Sequence, residues 1–513
     1  MTTANQMENI KIKRALISVY HKDGIDEIAE LLIRQNVEII STGGTYDYLN
    51  KLSVPVKSVE EITSYPSMLG GRVKTLHPLI SGGILARRDL ASDLNDLNVY
   101  GIPQIDLVIV DLYPFKEYVR EGHPHSEIIE KIDIGGVTLI RAAAKNFRHV
   151  TVIPCKELYN NLKNILLERG PETTYEEREY FAAQAFNISS DYDSAIFRYF
   201  NRESRIPAFK ESVLNSRPLR YGENPHQKAL FYGNEDDIPL QLHGKEISYN
   251  NLLDIEAAIE LISDFEESTV AILKHNNACG CASRESLAEA WSAALACDPL
   301  SAYGGIIVSN REIDPDTAKG MNGIFFEVVI APGYHQEALD ILKEKKNRII
   351  LLINKNLLTP VKFRSLLGGV LYQDRDSATE KLESLQFITL KKPANSEIDD
   401  LLFANKLVKH SKSNTIVLAR GKTLLASGVG QTSRVDALKQ AIEKAKGFGF
   451  EVRGGVMASD AFFPFPDCVE IAHSNGIDTV IQPGGSVRDK ESIDYCNNNN
   501  MAMVLTGTRH FKH

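Results

Sequence analysis

No stretch of this sequence is long and apolar enough to cross a bilayer. Its most apolar runs, such as Ile105–Val110 and Ile349–Ile353, fall far short of the roughly 20 residues a spanning helix needs. The first residues, Met1–Arg14, are polar and carry no apolar signal core, so secretion is not expected. Cysteine is scarce. Six in 513 residues cannot form a disulfide framework, and only Cys279 and Cys281 sit close together, so reduced thiols in a cytoplasmic protein are expected. An excess of positive charge is also missing. The 58 Lys and Arg against 67 Asp and Glu leave a net charge of −9, which excludes a general binder of nucleic-acid backbone but leaves room for a local basic pocket. Short-period repeats, heptads and low-complexity tracts are absent beyond Asn497–Asn500.

What remains is ordinary globular material, 43% hydrophobic and 24% charged. The length suits three or four domains, or two large ones. Strand and helix signals alternate through the first 200 residues. Arg14–Tyr20 reads as a strand and Gly24–Gln35 as a helix with Ile25, Ile28, Ala29 and Leu32 on one face. Val37–Ile40, Leu107–Val110 and Val150–Ile153 read as further strands. This rhythm predicts a parallel sheet with helices on its faces. The polar, aperiodic stretch Asn201–Ser216 places a domain boundary. Beyond it Thr269–His275 reads as a strand, Arg284–Cys297 as a helix stopped by Asp298-Pro299, Asn414–Ser427 as a hairpin turning at Arg420-Gly421-Lys422, and Val435–Lys446 as a helix.

Several clusters invite a chemical reading. Ser41-Thr42-Gly43-Gly44-Thr45 follows a strand and precedes a helix, where free amides and hydroxyls favour an anion; a plain turn with an N-cap is the bland alternative. Lys22 ends the first strand and could reach the same crevice. Leu69–Arg88 brackets Arg72, Lys74, Thr75 and His77 with two glycine pairs. It reads as a basic loop for a phosphate, or simply as a solvated loop. Tyr113 and Asp133 could supply a donor and a base, with Lys145 as a cation for an oxyanion, or they could be core, helix cap and solvated face. Lys274-His275-Asn276-Asn277 ends an apolar strand ahead of a Gly-containing loop, a placement suited to proton abstraction by His275. Gly428–Arg434 is a further anion-binding candidate, a glycine loop that opens a helix. Phe462–Asp467 combines aromatics with a carboxylate, as a flat heteroaromatic ring would require, although core packing and a cap would look the same. A zinc reading of Cys279 and Cys281 is disfavoured: there is no His-x-Glu, and the cysteine spacing is C-x-C. No metal site is expected.

As a set these pieces resemble the bifunctional enzymes that join IMP cyclohydrolase to AICAR transformylase (phosphoribosylaminoimidazolecarboxamide formyltransferase). The resemblance covers essentially the whole chain. It runs through Ser18-Val19, Ser41–Thr45, GGRVKTLHP, LYPF, DIGGVTLIRAAAKN and RYGENPHQ, then KHNNACG, DPLSAYGGI, IAPGY, LLGGVL, GVGQTSR, SDAFFPF and the terminal Arg-His-Phe. It implies an α/β protein. Residues 1–203 would be a methylglyoxal-synthase-like cyclohydrolase domain. Residues 204–513 would be a transformylase of tandem cytidine-deaminase-like units without zinc, split near residues 370–400. It implies a homodimer whose transformylase sites lie at the subunit interface, with small-molecule substrates and no nucleic acid or membrane partner.

The same resemblance implies roles. In the cyclohydrolase, Ser18, Lys22, Ser41–Thr45, Arg72, Thr75 and Gly135 match nucleotide-binding positions; Lys74, Tyr113, Asp133 and Lys145 match the catalytic group. In the transformylase, Lys274, His275, Asn414 and His226 match catalytic positions. Arg220, Tyr221, Asn251, Gly304, Glu327, Gln431, Arg434, Phe463, Asp467, Arg509 and His513 match substrate-binding ones. The formyl donor implied is 10-formyltetrahydrofolate, a cosubstrate, with no tightly bound cofactor. Four positions depart from the family pattern: Tyr20-His21 replaces Ser-Asp, Asp111 replaces an asparagine, and Ala278 replaces a proline. A nucleotide-binding regulatory protein with weak catalysis is the competing function, but Lys274-His275, Asn414, Lys74 and Asp133 are all retained.

Overall fold

The computed structural model describes residues 9–354 and 356–513. The chain divides into two compact units, Met1–Leu214 and Asn215–His513.

The first unit is built on a five-stranded parallel sheet in the order Lys57–Ser58, Glu38–Ser41, Arg14–Val19, Leu107–Asp111, Thr151–Ile153. Its central strands are almost continuously apolar because helices cover both faces; Ala15, Leu16, Ile17, Leu107, Val108 and Ile109 are wholly buried. Helix Ile25–Arg34 buries the face read from the sequence, Ile25, Ile28, Ala29 and Leu32. The first strand ends beside the Ser41–Thr45 turn on one side and beside Leu112-Tyr113 on the other. This is the carboxyl edge, where open α/β sheets bind ligands.

Leu69–Arg88 corrects the sequence reading. Its second half is a helix, Pro78–Leu85, with Pro78 in the first turn and His77 Nδ1 accepting the Leu79 N–H at 3.2 Å. Gly82 and Gly83 serve packing and not a ligand: a Cβ on Gly83 would stand 2.1 Å from the Pro103 carbonyl oxygen.

The second unit holds two six-stranded sheets of identical plan. One runs Leu240–His243, Ile349–Leu352, Val328–Ala331, Ile306–Ser309, Thr269–Lys274, Asn277–Ser283. The other runs Gln386–Phe387, Ala502–Leu505, Thr479–Gln482, Val456–Ser459, Ile416–Ala419, Leu424–Gly428. In each, the second, third and fourth strands are parallel and the flanking pairings antiparallel. The helices repeat as well: Tyr249–Ile262 and Asn395–Lys409 precede the hairpins, and Leu287–Cys297 and Arg434–Gly447 follow them. Even a glycine pair repeats. Gly304 and Gly454 take φ of +74° and +71°, and the N–H of Gly305 and of Gly455 closes the same tight turn, onto Ala302 and Val452 at 3.0 Å each. The two copies share one core, in which helices Tyr249–Ile262 and Asn395–Lys409 pack with the inner faces of both sheets. Their outer faces have separate cores.

Candidate active sites

In the first unit the Thr45 hydroxyl ties the first strand to the glycine turn. It donates to the Val19 carbonyl at 2.8 Å and accepts the Val19 N–H at 3.1 Å. Lys22 folds into this junction, donating to the carbonyls of Val19 and Tyr20 and, at 3.2 Å, to Thr45 Oγ1. Burial draws its ammonium below the usual lysine range, against the opposing pull of Asp111. Ser41 differs from the expectation of a ligand-facing hydroxyl: it is fully buried and donates to the Ile17 carbonyl at 2.8 Å. The Thr42 hydroxyl is buried without a hydrogen-bond partner among the described residues, leaving an open donor at the start of helix Gly43–Lys51.

Lys74 reaches the same place. A Cβ on Gly43 would meet Lys74 Nζ at 2.9 Å, and one on Gly71 would meet its Cε at 2.6 Å. Both glycines have positive φ, +52° and +88°, so the ammonium lies in a cradle that only glycine can form. Across the crevice, a Cβ on Gly135 would stand 2.7 Å from Thr75 Oγ1. Asp133 accepts the Gly136 N–H at 2.6 Å and the Tyr113 N–H at 3.4 Å. It is both the helix cap and a perturbed acid: burial raises its pKa, the N–H groups of Gly136, Tyr113 and Val137 oppose the rise, and Asp111 adds to it. Arg72 is exposed and pairs with Glu130. Lys145 is exposed in the last turn of helix Gly135–Lys145, ten residues and about 15 Å of helix rise from Gly135.

The family departures in this unit belong together. The Asp111 carboxylate accepts the His21 N–H at 2.8 Å and lies 2.7 Å from His21 Nδ1. It is engaged by the histidine that accompanies it, while Tyr20 turns its ring against Tyr113.

In the second unit Lys274-His275-Asn276-Asn277 is not a strand end before a loop. Thr269–Lys274 and Asn277–Ser283 form an antiparallel hairpin, and His275 and Asn276 are its two turn residues, with φ of +52° and +64°. This is the pattern of a type I′ turn, which suits the twist of the flanking strands. Left-handed backbone is uncommon for histidine, so the turn holds an exposed imidazole outward at a local cost. Lys274 Nζ donates to the Tyr303 carbonyl at 2.8 Å. Asn277 links the turn to its surroundings, donating to the His275 carbonyl at 2.8 Å and accepting the Lys412 N–H at 3.0 Å. That brings the Asn414 segment alongside. Asn414 donates through Nδ2 to the carbonyls of Gln431 and Thr432 and accepts Arg434 at 2.9 Å; Arg434 also reaches buried Asp460 at 3.1 Å.

The chain's last residues are docked there, not frayed. The Ser413 N–H donates to the Lys512 carbonyl at 2.9 Å, and the His510 N–H to the Asp460 carbonyl at 3.1 Å. Arg509 remains exposed, its guanidinium 4.4 Å from the Phe511 ring centre, and the His513 ring lies 5.6 Å from that of Phe511. The Arg220–Gln227 loop, with Tyr221 and His226, is tied to the start of helix Tyr249–Ile262 by Asn250, which donates to the Glu223 carbonyl at 3.2 Å. Asn251 is buried and caps that helix with Ser248. Gly304 turns the chain beside Tyr303. Glu327 pairs with Lys245 at 2.7 Å. Among the described residues no hydrogen bond joins Arg220, His226, Glu327 or Asp467 to the His275 cluster.

Phe463 is a further correction. It is 0% exposed and packs into the outer core of the second sheet, so its ring cannot stack on a ligand. Phe465 is the exposed aromatic, with Arg488 over its ring at 4.8 Å. Cys279 and Cys281 face opposite sides of their sheet, because a bulge opposite Ile272-Leu273 reverses the alternation.

A family model of the MGS-like domain matches residues 24–138, and one of the AICARFT/IMPCHase bienzyme matches residues 143–444. Over 506 residues the chain is 60% identical to the bifunctional purine biosynthesis protein PurH of Bacteroides thetaiotaomicron, covering 99% of this chain and 100% of that protein. The chain belongs to the PurH family. PurH of Aquifex aeolicus is 48% identical over 511 residues, and PurH of Caldicellulosiruptor saccharolyticus 45% over 518; each match covers 98% of this chain and all of the relative. As a PurH it is a bifunctional enzyme of purine biosynthesis, with AICAR transformylase and IMP cyclohydrolase activities.

Three polar residues escaped the sequence reading. Asp254 accepts the Asn276 N–H at 2.6 Å and so braces the His275 turn; burial raises its pKa, with the hydrogen bond from Asn276 and the charge of His275 opposing. His510 is clamped between Asp376 and Glu380. Lys131 stands over the Tyr113 ring. Each is recognisable only once distant segments are brought together.

Proposed function

We propose that residues 1–203 carry out the ring closure and residues 204–513 the formyl transfer. AICAR would take a formyl group from 10-formyltetrahydrofolate, a cosubstrate, and the formyl-AICAR so formed would lose water to give IMP. In the transfer, His275 removes a proton from the ring amine as it attacks the formyl carbon, and Lys274 and Asn414 stabilise the developing oxyanion. Arg220 and Arg509 are the proposed phosphate ligands, and Asp467 the contact to the folate ring, with Phe465 in place of Phe463. In the closure, the carboxamide nitrogen attacks the formyl carbon of the same molecule, so holding the two groups in contact is much of the catalysis. Lys74 and Tyr113 are placed for the oxyanion, Asp133 for proton transfer, and the Thr42 hydroxyl and the start of helix Gly43–Lys51 for the phosphate. Closure draws the transfer forward by consuming its product.

The observation that carries this reading is the grouping of the matched residues: Lys74, Thr75, Tyr113 and Asp133 meet at one sheet edge, and Lys274, His275, Asn414, Gln431 and Arg434 at one hairpin. Tandem cytidine-deaminase-like halves, split near residues 370–400 and without zinc, are part of the proposal; the duplicated strand order supports them. So is a homodimer with transformylase sites at its interface. Its support is the hairpin Val361–Leu366 and Gly369–Asp374, which exposes Phe363, Leu366, Leu367, Val370, Leu371 and Tyr372, a patch of the kind that marks an interaction surface. A cytoplasmic setting fits the six free thiols.

Purified protein given AICAR and 10-formyltetrahydrofolate should form IMP. His275→Ala should abolish the transfer yet still close supplied formyl-AICAR. Loss of both activities in a folded variant would refute the division of labour.

A further inference from the structure

Beside the ring-closure residues stands a cage that the matched positions leave unassigned. Lys131 Nζ lies 4.5 Å from the ring centre of Tyr118, 5.1 Å from that of Tyr20 and 5.6 Å from that of Tyr113. Tyr20 meets Tyr113 edge-on, with centres 5.3 Å apart and planes at 80°. Tyr118 is backed by the His123 ring, stacked at 4.3 Å. An ammonium over aromatic faces is held by the ring quadrupoles, and a single cation shared by three rings fixes their relative positions.

The cage is anchored to Asp133 through the backbone. The Tyr192 hydroxyl donates to the Lys131 carbonyl at 2.6 Å and accepts the Asp133 N–H at 2.9 Å. One buried phenol thus fixes the turn that carries both Lys131 and Asp133. Asp133 in turn accepts the Tyr113 N–H, so the Tyr113 backbone and ring are held from two sides. Tyr113 itself is exposed, and its ring meets Tyr20 edge-on and Lys131 from above.

We propose that Lys131 is a positioning residue for ring closure, aiming the Tyr113 phenol into the crevice through the Tyr20–Tyr113–Tyr118 cage. The inference rests on the reading of Tyr113 as a group that touches the reacting atoms. It also gives Tyr20 a role where the family pattern has a serine ligand: Tyr20 supplies the edge contact that keeps Tyr113 upright. Of the titratable groups around the cage, His21 is paired with Asp111, His123 behind Tyr118 lies between Glu121 and Glu127, and Asp133 is held by its cap hydrogen bonds; Lys131 is the cation that stands over the rings.

The test uses the full-length protein and supplied formyl-AICAR, with formyl transfer measured alongside. Lys131→Met should lower kcat for closure about tenfold with KM within about twofold, leave the transfer unchanged and leave the melting temperature close to that of the parent. Lys131→Arg, which keeps a cation over the rings, should restore most of kcat. The double variant Lys131→Met/Tyr113→Phe should be no slower than Tyr113→Phe alone, because Lys131 acts through that phenol. Additive losses, an effect on KM only, or no rescue by arginine would overturn the proposal. An unimpaired Tyr113→Phe would instead refute the reading of Tyr113 on which it rests.

Discussion

His510 should be the most consequential residue in the chain that touches no substrate. Its ring is 2% exposed, with Nδ1 2.6 Å from Asp376 and Nε2 2.9 Å from Glu380. Burial alone would push its pKa down, but the hydrogen bonds and charges of Asp376 and Glu380 outweigh it and raise the value from 6.5 to about 9. That rise is equivalent to roughly 3 kcal/mol. Because the folded pKa lies above the unfolded one, the contribution is fully present below about pH 6.5 and is lost as pH climbs through about 9; about 2 kcal/mol should remain at pH 7.5. His510→Gln removes the positive charge facing the Glu380 carboxylate, which is 6% exposed and also accepts the Asn405 amide at 2.6 Å. Urea unfolding of parent and variant, followed for the transition of the Asn215–His513 unit, should differ by about 3 kcal/mol at pH 6 and converge towards pH 9.5. Since Arg509 is the neighbouring residue, the variant should also need more AICAR to saturate the transfer. A stability difference that stays constant between pH 6 and 9.5 would show that no charge is held there.

Two further substitutions separate scaffold from site. Phe463→Ala should cost about 3–5 kcal/mol as a core cavity without changing the KM for the folate in what remains folded, whereas Phe465→Ala should raise that KM and leave stability within about 0.5 kcal/mol; the opposite pattern by calorimetry and kinetics would restore the first assignment. Gly43→Ala must displace the Lys74 ammonium and strain a left-handed residue by about 1 kcal/mol, so closure of formyl-AICAR should slow by tenfold or more while the transfer is unaffected.

The parallel sheet of the first unit was legible because buried strands and amphipathic helices leave distinct periods. Arg14–Val19 and Ile25–Arg34 are where the pattern puts them. The glycine pairs were legible only as glycine. At Gly43 and Gly71 the missing Cβ makes room for Lys74, but at Gly82-Gly83 it makes room for the Pro103 backbone, and sequence alone does not distinguish a side chain from a carbonyl. The His275 turn was misread because an apolar strand followed by polar residues looks the same whether the chain enters a loop or reverses. The signal was there in Asn276, a residue that tolerates left-handed backbone, set between two apolar runs. Phe463 and Phe465 differ in sequence only by position, and burial separates them. Asp254, Lys131 and His510 act on partners that folding brings together. For His510 the partners lie 134 and 130 residues away, beyond the reach of any local period.

The duplicated sheets carry a consequence for how such a chain can be built and broken. Each copy gives its inner helix and inner sheet face to a middle layer that belongs to neither, so each would present an oily wall if made alone. A cut in the connecting stretch after Leu352 therefore yields fragments that are soluble only in each other's company. The two copies differ at their hairpins, His275-Asn276 turning one and Gly421-Lys422 the other. They cannot separate without exposing that shared layer to water.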